Sequence, residues 1–185
     1  MYNTAIFCTP IGEVHEQDKI HSTTPEKLWG YSGGRDLNVF KVRDVKIGVA
    51  ICYDVEFPEL VRALVLRGVK VIFCPSYTTS EHGFWRVRYS CHARAIENQI
   101  YVVHSANFGD IGIPELKAYG SSAIICPCQE LLPPNGLIIE GRINEKEVVR
   151  GEIDLSIFED IRKSRIVTNY NDMLSKIDLP IREVV

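Results

Sequence analysis

Between residues 45 and 106 the chain alternates strand, helix, strand, helix, strand, and this pattern restricts the fold more than any other feature. Val45–Ile51 is a continuous apolar run, the signature of a strand buried on both faces. Pro58–Arg67 places Leu60, Val61, Leu64 and Val65 at helical spacing, with Pro58 suited to the first turn and Gly68 to the stop. Val69–Cys74 reads as a second buried strand, Trp85–Asn98 as a second helix and Ile100–Ala106 as a third strand. Such alternation predicts an α/β layered fold. Further strands are expected at Thr4–Cys8, Val14–Ile20, Leu37–Val42, Ser121–Cys126 and Val148–Asp154, with a turn at Pro10-Ile11-Gly12-Glu13. A short helix is expected at Ser156–Lys163, capped by Ser156. The opening strand has no lead-in, so it is expected to expose an edge or to need a partner.

A length of 185 residues corresponds to about one domain, read here as residues 1–185. Lys plus Arg is 21 against 24 Asp plus Glu, a net charge of −3, which argues against a nucleic-acid grip. No apolar run reaches the roughly 18–20 residues that span a bilayer, so no membrane partner is expected. Met1-Tyr2-Asn3-Thr4 carries no basic region ahead of an apolar stretch, so the expected location is cytoplasmic. The six cysteines, Cys8, Cys52, Cys74, Cys91, Cys126 and Cys128, are read as free and mostly buried thiols of a reducing compartment. Cys126-Pro127-Cys128 lacks a second pair or a histidine cluster at zinc spacing, so neither metal nor cofactor is expected.

One local pattern stands out chemically. The strand through Lys46-Ile47-Gly48-Val49-Ala50-Ile51 delivers Cys52 to its C-terminal end, and Phe57-Pro58-Glu59 opens the next helix. A thiol there faces the crevice at the carboxyl end of a sheet, and the N–H of Tyr53 can point at an oxyanion. A positive environment would favour the thiolate and make Cys52 the most reactive of the six. Taken singly, the neighbouring signals are bland. A cysteine at a strand end is commonly a packing residue, Lys19 reads by default as a surface charge, and Glu26 lies in a polar loop. Glu59 suits the positive end of its helix. His21 is tempting as a base for Cys52, but no Asn or Asp can be placed as its orienter.

Together these residues resemble the carbon–nitrogen hydrolase (nitrilase) superfamily. Lys19-Ile20-His21, Glu26, Ile51-Cys52-Tyr53-Asp54 and Phe57-Pro58-Glu59 match it in order and spacing, as do Ala93-Arg94-Ala95-Ile96-Glu97-Asn98, Tyr101-Val102-Val103, Asn107, Gly120-Ser121-Ser122 and Gly151-Glu152-Ile153-Asp154-Leu155. The resemblance covers about Asn3 to Thr168 and implies an α-β-β-α sandwich that hydrolyses a non-peptide C–N bond, an amide or less commonly a nitrile. It implies Cys52 as nucleophile, Lys19 as the lysine that stabilises the oxyanion, and Glu26 as a second glutamate positioning lysine and substrate. Glu59, Arg94, Glu97 and Asn98 take structural roles, while Tyr53, Ser76, Tyr77 and Trp85 are candidates for substrate contact. It further implies pairing into a homodimer or larger homo-oligomer, with Val61, Leu64 and Val65 seeking cover.

The chain departs from the family at one place. The family's general-base glutamate lies ahead of the lysine, after a first strand and helix, whereas only 18 residues precede Lys19. Glu13, Glu16 and Asp18 do not match that glutamate, so the chain is expected to be an N-terminally incomplete member. Two other readings use the same residues: a non-catalytic interaction subunit, and a cysteine-dependent acyltransferase passing the thioester to an amine.

Overall fold

The computed structural model describes residues 1–9, 11–110, 112–113, 116–163 and 167–175. Its centre is a six-stranded sheet in the order β3 (Phe40–Val42), β4 (Val45–Val49), β5 (Val71–Ser76), β6 (Tyr101–Ala106), β7 (Ala123–Ile125) and β8 (Leu137–Glu140). β4, β5 and β6 are parallel, with Ile47 opposite Val71 and Val71 opposite Tyr101; the outer pairs are antiparallel. Helices α2 (Pro58–Leu66) and α3 (Glu81–Asn98) make the two crossovers. Because the strands add in sequence order and such crossovers share one hand, both helices cover the same face.

Alternation along the parallel strands divides the core. Ala50, Ile72, Cys74 and Val102 face α2 and α3, where Leu60, Val61, Leu64, Val65, Val87, Cys91 and Ala95 complete one apolar cluster. Ile47, Val71 and Tyr101 face the other way, toward Phe7 and toward Phe158 and Ile161 of α4 (Ile157–Arg162). That second face is only partly covered: Phe73 is 38% exposed, and its neighbours Val49 and Val103 are half-buried. β1 (Thr4–Cys8) and β2 (Val14–Asp18) form a separate antiparallel ribbon on this side. The α2 face that the sequence left seeking a partner is buried by the chain's own sheet and α3, with Val61 at 0% exposure.

Several sequence expectations are corrected. Val148–Asp154 is not a strand. Its apolar residues serve packing, with Ile153 set against the second core cluster and Gly151 close to Ile124, Ile138 and Ile139. The strand beside β7 is instead β8, which follows Pro133-Pro134-Asn135-Gly136. α3 begins four residues earlier than its apolar periodicity implies, because Ser80 Oγ accepts the Gly83 N–H at 3.1 Å. Ser156 precedes α4 without capping it; its hydroxyl and N–H both donate to Asp154. A short α1 (Thr24–Leu28) replaces the polar loop around Glu26, and α5 (Asn169–Ser175) was not foreseen. Of the turn at residues 10–13, Pro10 lies outside the described residues; Thr9 and Glu13 close it through a 2.9 Å backbone bond. All six cysteines are free, but Cys8 and Cys128 are exposed rather than buried.

Candidate active site

The end of β4 leads straight into a 3-10 turn over Cys52–Glu56. Cys52 opens it with φ at +50°, a left-handed conformation that costs a non-glycine residue about 1–3 kcal/mol. The strain buys a position: the thiol leaves the strand end sideways, half-buried, with Sγ 3.7 Å from the Tyr77 carbonyl just past β5. Burial pushes the thiol pKa up, against the pull of the Lys19 ammonium and the backbone at Tyr77 and Tyr53. The thiolate-favouring environment read from the sequence is therefore present in part, and burial outweighs it.

Lys19 follows β2 and is 3% exposed. Its Nζ lies 2.8 Å from Glu26 Oε1 and 2.6 Å from Oε2. Its backbone is held on both sides, the N–H donating to the Asn3 carbonyl and the carbonyl accepting the Gly34 N–H, each at 2.8 Å. The close approach of this second segment explains Gly33 and Gly34, since a Cβ on Gly33 would collide with the Ile20 carbonyl and one on Gly34 would lie 2.7 Å from Asp18 Cβ. Glu26 sits in the first turn of α1 and also accepts the Thr23 N–H at 2.7 Å, the Thr23 hydroxyl at 2.8 Å and the Asn3 amide at 2.9 Å. Burial alone would raise this carboxyl; the bonds from Lys19, Thr23 and Asn3 overcome it and hold the pKa at about 2. A carboxylate so saturated is poorly suited to accept a further proton.

His21 does have an acidic partner, which the sequence did not reveal. Asp54, two residues past Cys52, lies 3.0 Å from His21 Nδ1, and the imidazole stacks on Phe57 with ring centroids 3.7 Å apart. His21, Phe57, Tyr53, Tyr31 and Ser32 are among the residues lining a cleft of about 460 Å3 beside the Cys52 turn. Tyr53 thus meets open space, its ring edge-on to Phe57. The Ser76 hydroxyl is committed to buried His104, 2.7 Å away. Tyr77 offers its carbonyl to Cys52, while its own hydroxyl donates to the Leu116 carbonyl. Trp85 donates to Glu81 at 3.2 Å and stacks on exposed Tyr89. Glu59 is exposed at the start of α2. Arg94 pairs with Glu97 at 3.3 Å and Asn98 donates to the Arg94 carbonyl at 2.9 Å, so these three brace α3. Glu13 and Glu16 are both exposed. Among the described residues no group of three His, Cys, Asp or Glu side chains could hold a metal ion, and no helix is long and apolar enough to cross a membrane.

A half-buried thiol on a strained turn, joined through Asp54 to the segment whose ammonium a carboxylate fixes, is suited to acyl transfer. Against known proteins, the family profile "Carbon-nitrogen hydrolase" matches residues 1–163. The chain belongs to the carbon-nitrogen hydrolase family. It is 38% identical over 175 residues to "Probable hydrolase YhcX" of Bacillus subtilis, spanning 93% of this chain and 34% of that one. Among solved structures, Nit3 of Saccharomyces cerevisiae, a member of branch 10 of the nitrilase superfamily, superposes with a TM-score of 0.76 at 25% identity, over 90% of this chain and 58% of Nit3. An amidase from Nesterenkonia sp. AN1 superposes with a TM-score of 0.60 at 29% identity, over 67% of this chain and 47% of that one; in a Glu-to-Gln variant its active-site cysteine carries the acetamide moiety of fluoroacetamide. This carbon-nitrogen hydrolase chain has the α/β fold of the nitrilase superfamily. It spans from about a third to three fifths of the length of these relatives.

Proposed function

We propose that the chain carries the nucleophile and oxyanion half of a hydrolase that cleaves the C–N bond of a small amide, or less readily a nitrile, through a thioester on Cys52. The observation that carries this reading is the buried Lys19–Glu26 pair, in a segment that the Asp54 carboxylate bonds to the Cys52 turn. The Cys52 thiolate attacks the amide carbonyl carbon, the C–N bond breaks, and the nitrogen leaves with a proton as ammonia or an amine. Water then cleaves the thioester, releasing the acid and returning the thiol. Lys19 and the Tyr53 N–H stabilise the tetrahedral oxyanion, each such donor being worth about 3–4 kcal/mol. Labelling of the active-site cysteine in the Nesterenkonia amidase supports the nucleophile by similarity.

Proton transfer is the weak half of the proposed site. Glu26 is saturated, Asp18 accepts the Thr4 hydroxyl at 2.6 Å, and Glu13 and Glu16 are exposed, so none of these described carboxylates is proposed as the proton acceptor. A missing proton carrier costs about 10²–10⁴-fold. Acylation by an activated substrate is therefore expected to outrun hydrolysis of the thioester, and slow turnover is the prediction for simple amides. The same proposal takes residues 1–185 as the C-terminal portion of one carbon-nitrogen hydrolase domain. It also carries self-association through the open second face and the ribbon, where Tyr2, Ile6 and Val14 are exposed. Intact-mass analysis after incubation with an activated ester tests the chemistry: a stable adduct absent from Cys52→Ala supports it, and an adduct unchanged in that variant refutes it.

A further inference from the structure

Asp54 has no part in the chemistry above, yet it is 2% exposed. Burying a carboxylate is expensive unless donors surround it. Here Oδ2 accepts the Ile20 N–H at 3.0 Å, Oδ1 accepts the His21 N–H at 2.7 Å, and Oδ1 lies 3.0 Å from His21 Nδ1. These donors lie 33 and 34 positions away in sequence and immediately follow Lys19, while Asp54 sits two residues past Cys52. The carboxylate is therefore a bridge between the segment that carries the lysine and the turn that carries the nucleophile.

We infer that Asp54 is a positioning residue that fixes Lys19 relative to Cys52, an inference that rests on the roles proposed for those two residues. Glu26 aims the ammonium from the side-chain end, and Asp54 holds the backbone behind it. Neither grip replaces the other, because a lysine stem has enough rotatable bonds to keep its ion pair while its Cα drifts. Misplacement by about 1 Å can cost a catalytic arrangement 10²-fold. The stacking of His21 on Phe57, at the end of the nucleophile turn, ties the same two segments a second time. Because the Cys52 thiol meets the Tyr77 carbonyl and not the imidazole, the geometry favours a structural clamp over a His–Asp base.

The test is the rate of Cys52 alkylation by iodoacetamide in the 185-residue chain, followed by peptide mapping for the wild type, Lys19→Met, Asp54→Asn and the double variant. The exposed thiols Cys8 and Cys128 report any general loosening. Asn keeps the size but turns an NH₂ toward a backbone donor. Lys19→Met is expected to slow Cys52 about tenfold at neutral pH and move its pH profile upward, and Asp54→Asn about fivefold in the same direction. The double variant should be no slower than Lys19→Met alone, the non-additivity of two changes acting through one contact. If Asp54→Asn leaves the rate unchanged while Lys19→Met lowers it, or if the two effects multiply, the positioning role is overturned and the Lys19 assignment survives. If Lys19→Met has no effect, the Lys19–Cys52 reading itself fails. His21→Phe, which keeps the stacking and both backbone donors, should stay within about twofold of wild type; a loss as large as that of Asp54→Asn would move the role to the imidazole. Should Asp54→Asn not fold, hydrogen exchange on the wild type decides: protection of the Ile20 and His21 amides equal to that of the 3-10 turn supports the bridge, and rapid exchange overturns it.

Discussion

Lys19 Nζ lies within 2.8 Å of both oxygens of Glu26, in a pair whose side chains are 4% and 14% exposed. An ion pair this buried is costly to leave half-made. Under the proposed function its value lies in direction: Glu26 fixes the ammonium that is to act on Cys52.

Glu26→Gln should therefore lower stability by about 3 kcal/mol, since it leaves a buried ammonium without its counter-charge. Urea unfolding at pH 7 measures it. A loss below about 0.5 kcal/mol would mean that the pair contributes no more than an exposed salt bridge.

Glu26 and His104 contribute to the acid limb of stability with the same sign, as do His92 and Asp154, whose pKa values are also lowered. The Glu26 carboxyl is lowered from 4.5 to about 2, so its contribution is complete above pH 4.5 and is lost as pH falls toward 2. Buried His104 is lowered by desolvation from 6.5 to about 3, so the native state excludes a proton that the unfolded chain accepts, and stability is lost as pH falls from 6.5 to 3. Melting temperature is expected to decline below pH 6.5 and more steeply below 4.5. His104→Phe should flatten the upper part of that decline while lowering stability at neutral pH, because the Ser76 hydroxyl loses its 2.7 Å partner. An undiminished decline between pH 6.5 and 4.5 in the variant would remove His104 from the explanation.

Gly48 lies in β4 beneath α2, where a Cβ would stand 2.9 Å from Leu64 Cδ1 and 3.0 Å from Ile72 Cδ1. Gly48→Ala should cost about 1–3 kcal/mol by overpacking. Since β4 leads into the Cys52 turn, Cys52 alkylation should change along with the melting temperature; a neutral substitution would show that the α2–sheet spacing is adjustable.

Residue periodicity carried the centre of the molecule and little of its site. The runs Val45–Ile51 and Val69–Cys74 announce buried strands because both faces are apolar, and α2 announces itself by spacing and by its Pro58 start. Residue pairs far apart in sequence left no comparable mark. Lys19 reads as a surface charge because its burial depends on the Gly33–Gly34 segment crossing it and on Glu26 beneath, and no local pattern encodes either. Asp54 hides in a motif dominated by Cys52, and its backbone donors are more than thirty residues away. Two signals were present and unused. Thr23 and Glu26 stand three apart, the spacing of a capping box, which marks the start of α1. The Pro133-Pro134-Asn135-Gly136 turn ahead of Leu137-Ile138-Ile139 marks β8. Val148–Asp154 misled because extended packing against a sheet and pairing within one leave the same apolar alternation.

The most direct measurement is site-resolved acetylation of the 185-residue chain by p-nitrophenyl acetate, read by intact mass and peptide mapping in the wild type, Cys52→Ala and Lys19→Met. The Cys52 thiol should displace p-nitrophenolate to give a single thioester that persists after the ester is removed, is missing in Cys52→Ala, and forms at least tenfold more slowly in Lys19→Met. Acetylation confined to the exposed Cys8 and Cys128, or a Cys52 rate indifferent to Lys19, would contradict the assignment of nucleophile and oxyanion lysine.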